Sequence, residues 1–159
     1  MTVLRSIATA FLMFSRVPMP KVAWKPENMR FALAALPLVG ALIGALLCGW
    51  AWLCDALSIG KILFAAGMTL LPLLVSGGIH LDGFCDTVDA LASHAEPERK
   101  REILKDPHAG AFAVIGVCAY LLASFALYTE LPNEKTAVLL ACLIPVLSRA
   151  AGALASFGT

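Results

Sequence analysis

The sequence predicts an all-α fold: a polytopic membrane bundle of about four spans, preceded by a short N-terminal helix that is re-entrant or interfacial. Three observations carry this. Of 159 residues, 60% are hydrophobic and 14% charged, with a mean hydropathy of +0.83; ordinary soluble domains carry about 25% charged residues. A soluble chain of this size lacks the interior to hide that much apolar surface. The apolar residues also fall into runs near the ~20 residues that a bilayer crossing needs, with the polar residues gathered between them. We read residues 1–159 as one membrane domain, with 80–109 as its Asp-rich cytoplasmic loop or helix.

In chain order, residues 3–14 (VLRSIATAFLMF) are apolar but short for a span, which suits a re-entrant or interfacial helix. No small-residue cleavage site follows them, so they are not read as a removable signal peptide. SRVPMPKVAWKPENMR, rich in proline and bases, reads as a surface loop. Residues 31–57 form the first span. Its Gly40, Gly44 and Gly49 are expected near one side, where small residues let helices approach, and Pro37 is expected to kink it. The second span covers 61–79 and ends at Ser76, Gly77 and Gly78. A third covers about 110–129. After the turn ELPNEK, a fourth starts near 136.

The net charge of +1 gives no basic field for nucleic acid. Cysteines 48, 54, 85, 118 and 142 form no CxxC pair and mostly sit in apolar runs, so they read as small packing residues rather than disulfides or a zinc site. Orientation follows from the bases. Arg16, Lys21, Lys25 and Arg30 precede the first span, and Arg99, Lys100, Arg101 and Lys105 lie in 80–109, two crossings later. The alternate loops hold only Lys61 and Lys135. The positive-inside rule puts the base-rich loops, and with them the Asp-rich segment, in the cytoplasm.

Asp82, Asp86 and Asp89 stand at i, i+4 and i+7, the spacing that aligns side chains on one helical face. Like charges so placed repel by a few tenths of a kcal/mol per pair in water, and more where desolvation penalises each charge. The next base is Arg99. A divalent cation is the simplest compensator, and Mg²⁺ is typically held by a few carboxylates together with substrate phosphates. The face is therefore a candidate grip for a diphosphate, with the metal neutralising the phosphoryl and leaving groups; a solvated helix face is the competing reading. Gly77, Gly78 and Gly83 would allow close backbone approach. His80 is a candidate ligand, base or phosphate donor, or else an interfacial polar residue. His94 reads as a loop residue.

The bases of ERKREILKDPHAG suit an amphipathic helix on an anionic membrane surface, with phosphate binding as the alternative. Asp106, before Pro107 and Gly110, is placed either to cap the third span or to serve as a second metal ligand. Arg149 stands inside the fourth apolar run, with no acid near it in sequence. A base there faces an anion or polar cavity, or snorkels to an interface.

These residues together resemble the cobalamin synthase family, whose signature reads approximately GGxHLDGLADTxDG. Here it runs from Gly77 to Ala90, with Phe84 for Leu, Cys85 for Ala and Ala90 for the closing Gly, and every carboxylate kept. FSRVPMP is similar to the family's F-x-R-x-P-x-P through Phe14, Arg16, Pro18 and Pro20. PLVGALIG, from Pro37 to Gly44, is similar to its first-span motif. KDPHAGAFA resembles K/R-D-P/S-x-x-G-x-x-G, keeping Asp106 and Gly110 but with Ala113 where Gly is common, and Ser148-Arg149 matches a Ser-Arg pair. Family members are considerably longer, with further spans and a late Gly-Asp…Glu motif, so residues 1–159 correspond to the N-terminal portion of the family fold.

The resemblance implies an inner-membrane, Mg²⁺-dependent transferase that joins adenosylcobinamide-GDP to α-ribazole or its 5′-phosphate and releases GMP. The ribose 3′-hydroxyl would attack the phosphorus bonded to the cobinamide aminopropanol. It implies catalytic roles for His80, Asp82, Asp86 and Asp89, metal binding by the three aspartates, and substrate contacts at Arg16, Gly77, Gly78, Gly83, Asp106, Gly110 and Arg149. Membrane lipid, other cobalamin-assembly enzymes and a second copy of the chain are the implied partners. Two other classes compete. CDP-alcohol phosphotransferases carry D-x-x-D-G-x-x-A-R, but no Ala-Arg follows Asp86 here. A cation-coupled transporter would need its acids in mid-span rather than at a span's end.

Overall fold

In the computed structural model, residues 2–157 are described apart from 24, 26–28, 30 and 133. Arg30 and Asn133 of the ELPNEK turn therefore lie outside the described residues. Seven helices and no strand are found among those described: α1 (Thr2–Phe14), α2 (Leu36–Ala56), α3 (Lys61–Ser76), α4 (Ile79–Ala92), α5 (Pro97–Ile103), α6 (Ala111–Thr129) and α7 (Lys135–Phe157). Three of them, α2, α6 and α7, are long and apolar enough to cross a membrane. The pair α3–α4 makes a fourth if its 95° bend is counted within one broken span. The expected number of spans is thus met, and α1 is the short apolar helix before them. The chain is a multi-pass membrane protein.

Two expectations about the first span are corrected. Residues 31–35 form turns, and α2 starts at Leu36, so Pro37 falls in the first turn. There a missing N–H costs nothing and the fixed φ suits the helix, so proline starts α2 instead of kinking it. Gly40 and Gly44 do mark a close helix contact. A Cβ on Gly40 would lie 2.5 Å from the Pro145 carbonyl oxygen of α7, and one on Gly44 would strike the Cys142 carbonyl. Gly49 meets nothing within 4 Å. Nine residues after Gly40, at about 100° per residue, it has come round to the opposite side of the helix.

The α2–α7 contact holds the core: Val39, Ile43, Leu47, Met68, Ala141 and Cys142 are buried together. α3 leans on α2 where the Trp50 indole covers Gly67 and its Nε1–H donates to the Phe64 carbonyl at 3.0 Å. α6 packs on α3 and α4. Ala113 is the one residue of α6 that is buried, and Phe112, Ile115, Leu122 and Leu127 point outward, as suits a helix solvated by lipid or by further helices.

Candidate functional site

The site forms where α3 ends. Gly77 (φ +68°) and Gly78 (φ +82°) are consecutive left-handed residues, a conformation that side chains disfavour, and they produce the 95° turn into α4. Arg16 comes to this corner from the other end of the sequence. Its backbone N–H donates to the Val75 carbonyl at 2.8 Å, and its side chain lies over Gly77, where a Cβ would sit 2.7 Å from Nε and 2.8 Å from Cγ. Gly77 is therefore constrained twice, by φ and by space, whereas Gly78 is constrained by φ alone, its Cβ direction being open.

α4 begins as the corner ends: the Asp82 N–H donates to the Gly78 carbonyl at 2.8 Å. Asp82 stands in the first turn, where the amide dipoles favour a carboxylate. It opens on a cavity of about 530 Å³ lined also by Gly77, Gly78, Ile79, Leu81, Cys85 and Val117. Asp82 is exposed, Asp86 is half-buried one turn on, and neither makes a hydrogen bond or ion pair among the described residues. Gly83 has open space around its missing Cβ, so protein packing does not require it.

The third aspartate behaves differently. Asp89 Oδ2 accepts from the Gly110 N–H at 2.6 Å and Oδ1 from the Ala113 N–H at 2.8 Å. Its carboxylate thus closes the open N-terminus of α6. The expected convergence of Asp82, Asp86 and Asp89 is absent: among the described residues no three His, Cys, Asp or Glu side chains are grouped to hold a metal ion. The i, i+4, i+7 spacing aligned the side chains on α4, but the amides of α6 engage the last. Two carboxylates one turn apart, the first of them open to a cavity, still fit Mg²⁺, which keeps several waters and often takes one or two protein carboxylates plus substrate phosphates.

Asp106 does not cap α6. It accepts from the His108 backbone N–H at 2.9 Å and faces His108 Nδ1 at 2.8 Å, closing a local turn. The backbone N–H first, and then the imidazole, hold its carboxyl below the usual aspartate range. In sequence the signal for the real cap was Gly110 itself. A glycine N-cap has no oxygen to offer, so the acceptor must come from elsewhere.

His80 is exposed beside Asp82, its ring 6.0 Å from that of Phe14 at the end of α1. Arg149 of α7 is close enough to act on His80 electrostatically, and its buried Nε has no hydrogen-bond partner among the described residues. A buried donor without an acceptor in a membrane span is open to an anion. The structure thus joins Arg16 to the Gly77-Gly78 corner and Gly110 to Asp89, and brings the charge of Arg149 within electrostatic reach of His80. Cys85, Leu81 and Val117 line the cavity without having been singled out in sequence; only the helical spacing of Leu81 and Cys85 beside Asp82 could have indicated the first two.

Residues 6–159 match the family model described as cobalamin-5-phosphate synthase. Among curated relatives, adenosylcobinamide-GDP ribazoletransferase of Lachnoclostridium phytofermentans is 43% identical over 152 residues, covering 96% of this chain and 58% of the relative. The proteins of the same name from Geobacillus kaustophilus and Clostridium perfringens are 37% and 34% identical, each over 91% of this chain and over 56% and 58% of their own lengths respectively. The chain thus spans less than two thirds of the length of these relatives. No solved structure gives a significant match.

Proposed function

The chain belongs to the cobalamin-5-phosphate synthase family, and from that premise we propose that it supplies the diphosphate-binding half of an adenosylcobinamide-GDP ribazoletransferase. Such a reaction joins adenosylcobinamide-GDP to α-ribazole or its 5′-phosphate. The ribose 3′-hydroxyl oxygen bonds to the phosphorus attached to the cobinamide aminopropanol, the bond from that phosphorus to the bridging oxygen breaks, and GMP leaves. One observation carries the reading: Asp82 and Asp86, one turn apart and without a hydrogen bond or ion pair among the described residues, stand beside a glycine corner that also gathers Arg16, with Asp82 lining an open cavity.

Mg²⁺ held by Asp82 and Asp86 would supply charge neutralisation at the diphosphate. The chain's own residues do the rest. Arg16 and Arg149 hold phosphate oxygens, Arg16 at the rim and Arg149 from inside the bundle. Gly77 and Gly78 keep side chains out of the diphosphate's path. His80 takes the proton of the attacking hydroxyl. Phosphoryl transfer asks little covalent work of a protein beyond positioning and charge. The balance of bases supports a cytoplasmic position for the corner, at an inner membrane. The outward apolar face of α6 would meet lipid or further helices, and assembly with other cobalamin enzymes or a second copy would use the remaining outward apolar faces.

The test is GMP release from adenosylcobinamide-GDP by the intact protein in lipid, with and without α-ribazole. Release should require ribazole, stop with EDTA, return with Mg²⁺, and fall at least 100-fold in Asp82→Asn, in the range seen when one preorganised electrostatic group is lost. Undiminished, Mg²⁺-independent turnover in Asp82→Asn would remove the carboxylate pair from the chemistry.

A further inference from the structure

We propose that Asp89 is a positioning residue, the latch that sets the roll of α4 against the entry of α6, and not a third metal ligand. This deepens the reading above and rests on it for the role of Asp82 and Asp86.

The geometry is specific. Each carboxylate oxygen of Asp89 takes a different amide of α6: that of the N-cap, Gly110, and that of Ala113 three residues on. Those amides belong to the first turn, which has no acceptors within its own helix. Gly110 has an extended backbone and no side chain, and α6 has no acid in its first turn. The cap is thus borrowed across 21 residues. A carboxylate meeting amides at a helix N-terminus forms short charge-assisted bonds that the aligned peptide dipoles reinforce. Space is kept for it as well: a Cβ on Gly110 would fall 2.8 Å from Asp89 Oδ1 and 2.9 Å from Oδ2. One residue back, Val88 packs on Gly116, where a Cβ would lie 3.0 Å from its Cγ1, and Ala90 is buried. The 88–90 segment of α4 is therefore seated on α6 by packing and by hydrogen bonds.

The consequence for the site follows from helix geometry. A helix rolls as one body, so a bond at Asp89 fixes the direction of every side chain on α4. Asp82 lies seven residues away, about 10 Å along the axis and within about 20° in azimuth. Holding Asp89 to the N-terminus of α6 therefore aims Asp82 along the flank of α6, where Val117 joins it in lining the cavity. With the latch open, α4 is free to roll and the Asp82–Asp86 pair loses its fixed aim.

The experiment compares Asp89→Asn, Gly110→Ala and Asp82→Asn in the full chain in nanodiscs, reading amide hydrogen exchange over 109–114 and Mn²⁺ binding by electron paramagnetic resonance. Asn keeps one acceptor oxygen but turns an NH₂ toward the other amide, and the alanine methyl pushes the carboxylate away. Both latch variants should speed exchange over 109–114 about tenfold, the loss of about 1.4 kcal/mol typical of a helix cap, while exchange in the middle of α6 stays slow. Both should keep Mn²⁺ affinity within about threefold of wild type. Asp82→Asn should do the reverse, weakening Mn²⁺ at least tenfold and leaving exchange unchanged. If Asp89→Asn weakens Mn²⁺ as much as Asp82→Asn, or leaves exchange over 109–114 as slow as wild type, the latch is wrong. Wild type that binds no Mn²⁺ would sink the metal reading instead, and the exchange arm would still decide the latch.

Discussion

The Gly77-Gly78 corner offers a matched pair of substitutions. Both residues are left-handed, at φ +68° and +82°, but the Cβ of an alanine at 77 would press on Arg16 while one at 78 would enter open space. Left-handed backbone costs a non-glycine residue about 1–2 kcal/mol, so Gly78→Ala should lose roughly that. Gly77→Ala carries the same strain plus displacement of the Arg16 side chain, whose Cγ as well as Nε lies under 3.0 Å from the new methyl. Overpacking of this kind adds about 1–3 kcal/mol. Because Arg16 lies on the surface, where the side chain swings aside, the lower end is expected, for a total near 2–3 kcal/mol. The assay is denaturant-induced unfolding in mixed micelles, followed by tryptophan fluorescence, with GMP release measured alongside. Stability should fall in the order wild type, Gly78→Ala, Gly77→Ala, and the extra loss at 77 should vanish in an Arg16→Ala background. Activity should drop more for Gly77→Ala than for Gly78→Ala, since only the former moves Arg16, the arginine proposed to hold phosphate. Equal losses at 77 and 78, or an extra loss at 77 that survives in Arg16→Ala, would show that the Arg16 contact carries none of the effect.

Other expectations follow from the same geometry. Gly44→Ala should cost about 1–3 kcal/mol, because the Cys142 backbone that it meets cannot swing aside, whereas Gly49→Ala should be neutral or gain up to about 1 kcal/mol of helix propensity; unfolding midpoints check both. Asp106 should titrate below the usual aspartate range in a carboxyl-carbon NMR titration. A depressed carboxyl stabilises its turn above the unfolded-state pKa, and that contribution is lost as pH falls through the folded value, so the 106–108 turn should open only in more acid solution than an ordinary aspartate would require. His108→Ala should return the midpoint only part of the way, because the backbone N–H is the larger cause. Arg149→Ala should raise KM for adenosylcobinamide-GDP more than for α-ribazole, with Lys a partial rescue because it lacks the planar fork; equal effects on both substrates would take Arg149 out of the phosphate site.

Spans were the most legible feature of the sequence, because bilayer thickness fixes a length that composition alone reveals: α2, α6 and α7 lie where the apolar runs put them, within a few residues. Pro37 and Gly49 were misread because composition shows which residues can kink or pack, but only the helix start and the rotation per residue show where they act. The aspartates divide in the same way. Spacing aligned three carboxylates on α4 without saying what faces them, and what faces Asp89 is a helix that begins 22 residues later at Ala111. That partner was hidden because capping is usually sought within a few residues of the helix it serves.

The family signature and the fold can be brought to one physical account. A short helix that carries three aspartates beside a bilayer must still have its hydrogen-bonding ends satisfied. α4 meets this at both ends. At its start, two left-handed glycines turn the chain, and Arg16 closes over the first of them. At its finish, Asp89 exchanges its charge for two amides of α6. Between these fixed ends Asp82 and Asp86 have no partner among the described residues, which in a folded protein is a standing electrostatic cost. Neutralising or hydrogen-bonding them within the fold would remove that cost and, with it, the proposed grip on a cation and a diphosphate. The arrangement therefore separates two jobs that the sequence writes in one run of residues: glycine, arginine and the last aspartate hold the helix, and the first two aspartates are left without a partner among the described residues, as the proposed cation site requires.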